Sequence, residues 1–152
     1  MTILVQLSDL HIREPGQLAY GRIDTAPYLK TVVQSVLALK QQSDALVITG
    51  DLTDFGRASE YAHLAELLSP LPMPIYLMPG NHDDRTQLRR SFPSHSYLGT
   101  DGFIQYAVTI GNLHLLAIDT TVPEKSYGGL GKDQLAWLEA RLADCQSQRV
   151  II

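Results

Sequence analysis

Ile75-Tyr76-Leu77-Met78-Pro79-Gly80-Asn81-His82-Asp83 joins a short apolar run to a glycine, an amide, an imidazole and a carboxylate. The apolar run has the length and composition of a buried strand. The polar group after it falls on the loop at that strand's end, where open α/β sheets bind ligands. The arrangement occurs twice earlier. Ile3-Leu4-Val5-Gln6-Leu7 runs into Ser8-Asp9-Leu10-His11, and Ala45-Leu46-Val47-Ile48-Thr49 runs into Gly50-Asp51-Leu52-Thr53-Asp54. Three apolar strands thus each end in side chains of metal-ligand type.

Between these strands the spacing turns helical. Asp24, Thr25 and Pro27 mark a helix start, and Tyr28, Leu29, Val32, Val33, Val36 and Leu37 recur at helical intervals. Tyr61, Leu64, Leu67 and Leu68 form a second amphipathic helix that stops before Pro70 and Pro72. Residues 84–102 predict a short helix and a loop, in which Arg85, Arg89 and Arg90 read as a solvated face. Phe103 to Ile110 and Leu113 to Asp119 are β-rich runs joined by Gly111-Asn112, a hairpin signal. A helix follows over 132–143, with Leu135, Leu138 and Leu142 on one face. Arg149 to Ile152 begins a further buried strand. The order β-α-β-α-β, hairpin, α-β predicts an α/β fold with mixed β-sheet flanked by helices. Residues 1–152 read as one domain, expected to be incomplete at its C-terminal side because it closes on an apolar strand with nothing to cover it.

Composition narrows the function. The 152 residues are 45% apolar and 18% charged, with a net charge of -4. That balance gives no basic footprint and disfavours nucleic-acid binding through phosphate contacts. An anionic substrate remains compatible if metal ions supply the positive charge. The one cysteine, Cys145, reads as a half-buried hydrophobe. No signal segment opens the chain and no run approaches 18 apolar residues, so a cytoplasmic protein with no membrane partner is the expectation.

Each of the three loops has its own chemistry. Asp9 and His11, spaced i and i+2, would point to one side of an extended stretch and could reach one cation. Gly50 lets the backbone turn sharply before Asp51, whose two oxygens could bridge two cations. Asn81 offers a neutral carbonyl oxygen, and His82 beside it could stay unligated and face a substrate. Such nitrogen and oxygen donors suit iron, manganese, zinc or cobalt. Two ions about 3.5–4 Å apart would form a clamp for displacement at phosphorus. Elsewhere, His63 reads as a helix-surface residue, His114 as a packed core histidine, and His95 as part of a polar loop near the site. Tyr20 and Arg22 lie in the long first loop, which could border a substrate pocket.

Asp9-Leu10-His11, Gly50-Asp51-Leu52-Thr53-Asp54 and Gly80-Asn81-His82-Asp83 resemble the first three motifs of the calcineurin-like metallophosphoesterases. Tyr20 to Thr25 and Gln134-Leu135-Ala136-Trp137-Leu138-Glu139 are further similar to the class III cyclic-nucleotide phosphodiesterases and the related glycerophosphodiesterases. The resemblance implies a binuclear centre of two divalent or trivalent ions. Asp9 and His11 would hold the first, Asp51 would bridge, and Asn81 would bind the second. It gives His82 a catalytic role at the phosphate and leaving oxygen, with the Asp54 carboxylate orienting it. The implied reaction is attack by a metal-bound hydroxide on a small phosphodiester, cyclic nucleotides before glycerophosphodiesters. The family's later histidine and Gly-His-x-His loop are not in this sequence, so four ligands of the usual seven are present. Weak metal binding and little turnover are expected of this chain alone. A non-catalytic scaffold module and a nuclease are the rival readings, and a homo-oligomer is compatible with all three.

Overall fold

The computed structural model describes residues 1–152. The elements follow the order β1 (Leu4–Leu7), α1 (Ala26–Leu37), β2 (Ala45–Thr49), α2 (Ala58–Leu68), β3 (Ile75–Met78), α3 (Arg85–Ser91), β4 (Tyr106–Ile110), β5 (Leu113–Ala117), α4 (Lys132–Asp144) and β6 (Arg149–Ile151). They build two three-stranded sheets, β1-β2-β3 and β4-β5-β6. The first is wholly parallel. The second is mixed, with β4 antiparallel and β6 parallel to β5. The α/β class expected from the sequence is therefore observed, with the strands divided between two sheets.

β2 is central in the first sheet, and Ala45, Leu46, Val47 and Ile48 are all buried. A parallel strand covered on both faces has no solvated side, so its sequence reads as one unbroken apolar run. α1 packs through Leu29, Val33 and Val36, while Tyr28 and Leu37 stay exposed. α2 buries Tyr61, Leu64, Leu67 and Leu68, the face its spacing predicts. Parallel crossovers put the three strand ends, and so the three motif loops, on one edge of the sheet.

β3 has β2 on one side only, and its other edge is closed by side chains. The Tyr97 hydroxyl accepts from the Leu77 amide at 2.8 Å and donates to the Ile75 carbonyl at 2.9 Å. The Tyr106 hydroxyl donates to the Leu77 carbonyl at 3.1 Å. Two tyrosines thus stand in for a fourth strand, and Tyr106 ties β4 to the first sheet. Burial pushes both hydroxyls well above the usual phenol range, so they stay protonated.

The C-terminal third departs from its pattern. Leu135 and Leu142 of α4 are 48% and 37% exposed, so the leucine face does not reach a core. The residue of α4 that is buried is Gln134, whose amide donates to the Asp119 carbonyl while its oxygen accepts from the Gly131 amide. A polar anchor docks this helix. β6 is likewise not a buried strand. It pairs only with β5, and Ile151 and Ile152 are exposed. Arg85 is not a solvated cation either. Its guanidinium grips Asp119, Nε to Oδ2 at 2.5 Å and Nη2 to Oδ1 at 3.0 Å, and reaches the Thr121 carbonyl at 2.8 Å. Arg89 donates to the carbonyls of Leu98, Asp101 and Gly102, fastening the loop after α3.

Two predictions follow from these polar contacts. Tyr97→Phe strips partners from a strand-edge amide and carbonyl, and should cost about 1–3 kcal/mol in urea unfolding. Asp119 is fully buried; burial alone would raise its carboxyl, but hydrogen bonds from Arg85, Thr121 and the Ile104 amide outweigh it and hold the group below its ordinary 3.8. A carboxylate depressed in the folded state stabilises above its unfolded pKa, and that contribution fades as pH falls through the folded value. Asp119→Asn should therefore be less stable at pH 7 by about 3 kcal/mol. The gap from the parent should close below pH 3.8, read as urea midpoints across the acid range.

Candidate metal centre

The first two loops continue the ladder between β1 and β2 beyond the strands. The amides of Asp9, His11 and Ile12 donate to the carbonyls of Gly50, Asp51 and Leu52, and the Asp54 amide returns to the Ile12 carbonyl. The third loop is held to the second by Asp83. Its carboxylate accepts from the amides of Leu52 (3.0 Å), Thr53 (3.2 Å) and Gly80 (2.9 Å) and from the hydroxyls of Thr53 (3.1 Å) and Tyr61 (2.9 Å). Burial raises the Asp83 carboxyl above its ordinary value, and these hydrogen bonds pull against that rise. In the sequence Asp83 is only the last residue of the third motif, with no role of its own legible there. Its signal was its place after Asn81-His82, at the far end of the shortest loop.

Backbone conformation concentrates at the same place. Five residues other than glycine have positive φ, and four of them are Asp9 (56°), His11 (43°), Tyr20 (52°) and Asp51 (47°). Left-handed backbone at such residues costs free energy and persists only where the surroundings over-determine it. This corrects the extended i, i+2 reading of Asp9 and His11. Their side chains are aimed by left-handed turns at both positions, imposed by the hydrogen bonds to the second loop. Gly50 also has positive φ, 93°, as its turn requires. Gly80 answers a different demand. A Cβ there would lie 2.1 Å from Asp51 Oδ1 and 2.2 Å from the Asp51 amide nitrogen.

The loops bring the marked residues to one focus. Donor atoms of His11, Asp51 and His82 all lie within 4.8 Å of one another. Asp51 Oδ2 is 3.7 Å from His11 Nε2, and Asp51 Oδ1 accepts from the His82 amide at 3.1 Å. Asp9, Asp51 and Asn81 line a single open cavity of about 260 Å³. The Asp9 carboxylate also takes the Ser8 hydroxyl. The three loop ends therefore converge, and His82 stands inside the tight group.

Asp54 is 3% exposed, so it is no solvated loop acid. Its carbonyl oxygen accepts from His82 Nδ1 at 2.8 Å, while its Oδ1 lies 3.8 Å from that nitrogen. The hydrogen bond that orients His82 thus goes to the main chain of Asp54. A carbonyl can only accept, so neutral His82 carries its proton on Nδ1 and leaves Nε2 with its lone pair. Tyr20 edges both histidine rings, at centroid distances of 5.1 Å and 5.9 Å, with its hydroxyl 3.1 Å from His11 Nε2. Burial, and then the charges of Asp54, Asp51 and Asp9, push the Tyr20 hydroxyl above its usual range. Arg22 is exposed and makes no such contact. His95 stacks on Phe92 and Tyr97, away from the site. His63 holds the Arg13 carbonyl through Nδ1 at 2.6 Å. His114 is half-buried and meets Thr109, because its strand has one open face.

The donor chemistry fits a divalent cation. Three carboxylates and two imidazoles crowd one region, with imidazole nitrogen and carboxylate oxygen suited to first-row ions. The comparisons agree with that chemistry. A model of the calcineurin-like phosphoesterases matches residues 2–147. The chain belongs to the calcineurin-like phosphoesterase family. It is 33% identical over 150 residues to a probable glycerophosphodiester phosphodiesterase GpdQ of Arcobacter nitrofigilis, covering 99% of this chain and 55% of that one. It is 32% identical over 151 residues to the 3',5'-cyclic adenosine monophosphate phosphodiesterase CpdA of Pseudomonas aeruginosa, covering 99% and 53%. A probable cyclic nucleotide phosphodiesterase of Rhodococcus erythropolis is 34% identical over 145 residues, with 92% and 47% covered. The chain spans about half the length of these calcineurin-like relatives. No helix of this family member is long and apolar enough to cross a membrane.

Gly80→Ala should force the third loop away from Asp51. We expect a stability loss of about 3 kcal/mol, measured by urea unfolding, together with weaker Mn²⁺ binding in a calorimetric titration.

Proposed function

We propose that this domain serves a metal-dependent phosphodiester hydrolase acting on small phosphodiesters. The observation that carries this reading is the convergence of His11, Asp51 and His82 within 4.8 Å, beside a cavity shared by Asp9 and Asn81. In this reading Asp9 and His11 hold one ion, Asp51 offers an oxygen to each of two, and Asn81 holds the second. Such ions, when bound, supply the positive charge that grips phosphoryl oxygens and lowers the pKa of water. The identity of the pair lies among iron, manganese, zinc and cobalt, by donor type.

The chain's own groups do the rest. His82 keeps its Nδ1 proton on the Asp54 carbonyl, so Nε2 is where the ring would take up a second proton; only as imidazolium could it donate from Nε2 to a phosphoryl oxygen or give that proton to the leaving oxygen. The Asp54 carboxylate adds a negative charge behind both rings. The Tyr20 hydroxyl, kept protonated, can donate to a phosphoryl oxygen at the mouth of the site.

Cyclic nucleotides are the first substrate class proposed, on the motif likeness and the names of two relatives. One observation favours a glycerophosphodiester. A larger cavity of about 690 Å³ meets the metal cavity at Gly80, Asn81 and Thr121, and only one of its 15 lining residues is hydrophobic. Such walls match hydroxyl groups better than the face of a purine.

The test is Mn²⁺ titration and turnover of bis(p-nitrophenyl) phosphate by the purified protein, beside Asp51→Ala. We expect Asp51→Ala to weaken binding and to lower turnover at least about 100-fold. No Mn²⁺ binding and no turnover in the parent would favour a scaffold module or the lack of the family's later ligand motifs, whereas Mn²⁺ binding that Asp51→Ala leaves unchanged would refute the hydrolase reading. Relative kcat/KM for cyclic AMP and a glycerophosphodiester then selects the substrate.

A further inference from the structure

Arg13 follows the first motif, yet nothing in the proposed chemistry calls for a cation there. Its side chain is 13% exposed, and the guanidinium is held from several sides. Nε lies 2.8 Å from the fully buried Glu60 Oε1, and 3.4 Å from Glu14 Oε2. Nη1 donates to the Leu18 carbonyl at 3.2 Å, and the Phe55 ring lies 4.5 Å from the guanidinium carbon. Glu60 is itself fixed, because its other oxygen accepts from the amides of Phe55 and Arg57, both at 3.0 Å. These contacts set the place of Arg13 without help from Asp54.

Asp54 is the one partner of Arg13 that faces the metal centre. Its Oδ2 takes Arg13 Nη1 and the Tyr20 amide, both at 3.4 Å. With that oxygen engaged, Oδ1 is left facing Nδ1 of His11 at 3.6 Å and Nδ1 of His82 at 3.8 Å. One carboxylate therefore stands behind the same nitrogen of both rings. A carboxylate behind Nδ1 favours the proton there and frees Nε2 for a ligand. His11 Nε2 is the nitrogen that faces Asp51.

We infer that Arg13 is a positioning residue that locks Asp54 in the pose which sets the tautomer of His11. The inference rests on the proposed metal centre for its purpose. Its geometry concerns the protein without metal. Remove the guanidinium, and Asp54 becomes a buried carboxylate with a single amide on Oδ2. It is then free to turn, and His11 loses the charge that favours its Nδ1 proton. His82 keeps the Asp54 carbonyl bond and should change less.

The test is long-range ¹H–¹⁵N correlation of the imidazoles in metal-free protein, for the parent, Arg13→Met and Arg13→Lys. Arg13→Met keeps the apolar stem, and Arg13→Lys keeps a charge for Glu60 should the first variant not fold. We expect His11 Nδ1–H in the parent and a mixed tautomer in either folded variant. Mn²⁺ affinity should fall about 10–100-fold. Asp119→Asn, a destabilising change in another part of the fold, should shift no histidine tautomer. If a folded Arg13 variant keeps the parent's His11 signals, the inference is overturned, whatever its stability. Shifted tautomers with no Mn²⁺ binding in any protein would sustain it and refute the metal reading alone.

Discussion

The carboxylate of Asp83 is the constraint on which the centre depends. It draws five donors from three places: the loop after β2, its own loop, and the Tyr61 hydroxyl of α2. Of the two loops it joins, the one after β2 carries left-handed Asp51, and that loop in turn bonds to the first, where Asp9, His11 and Tyr20 are left-handed. Each such residue disfavours the observed backbone by about 1–3 kcal/mol. An acceptor shared among amides holds that geometry against relaxation, because every donor that lets go leaves a polar group without a partner. Packing then tightens the arrangement. Gly50 and Gly80 approach so closely that a Cβ on Gly50 would touch the Gly80 Cα at 3.0 Å.

Charge is distributed to the same end. Asp9, Asp51 and Asp54 all act on the Tyr20 hydroxyl, so their fields overlap in one region. Asp54 is answered by Arg13, while Asp51 and Asp9 have no arginine or lysine partner. The pairing divides the acids into one fixed behind the histidines and two open to the cavity. That division gives an acidic chain a focus for cations without a basic surface.

Much of this was legible in the sequence, because apolar runs and helical spacing carry burial directly. The three parallel strands, α1, α2 and the Gly111-Asn112 hairpin fall where the pattern puts them; His11, Asp51 and His82 cluster at the strand ends, and Asp9 and Asn81 line a cavity with Asp51. What could not be read is whatever depends on a partner distant in the chain. Arg85 looks like a surface charge until Asp119, 34 residues later, is seen to receive it. Tyr97 looks like loop until it is found against the bare edge of β3. The leucines of α4 promise a packed face, but a helical stripe says only that a face could be covered. The i, i+2 spacing of Asp9 and His11 suggested the right neighbours through the wrong backbone, since left-handed turns leave no mark in composition.

The two histidines show how far main-chain placement reaches into chemistry. His82 is oriented by a carbonyl, which no substitution at position 54 deletes, whereas the ring of His11 meets the Asp54 and Asp51 carboxylates and the Tyr20 hydroxyl. The two rings stand edge to face with centroids 4.7 Å apart, so neither can turn without displacing the other. Tyr20 touches both from the solvent side. A ring held by the main chain, a ring placed beside carboxylates and a hydroxyl between them and solvent make one packed set. Placement by backbone and placement by charge are separate levers, and the fold assigns each to a different histidine.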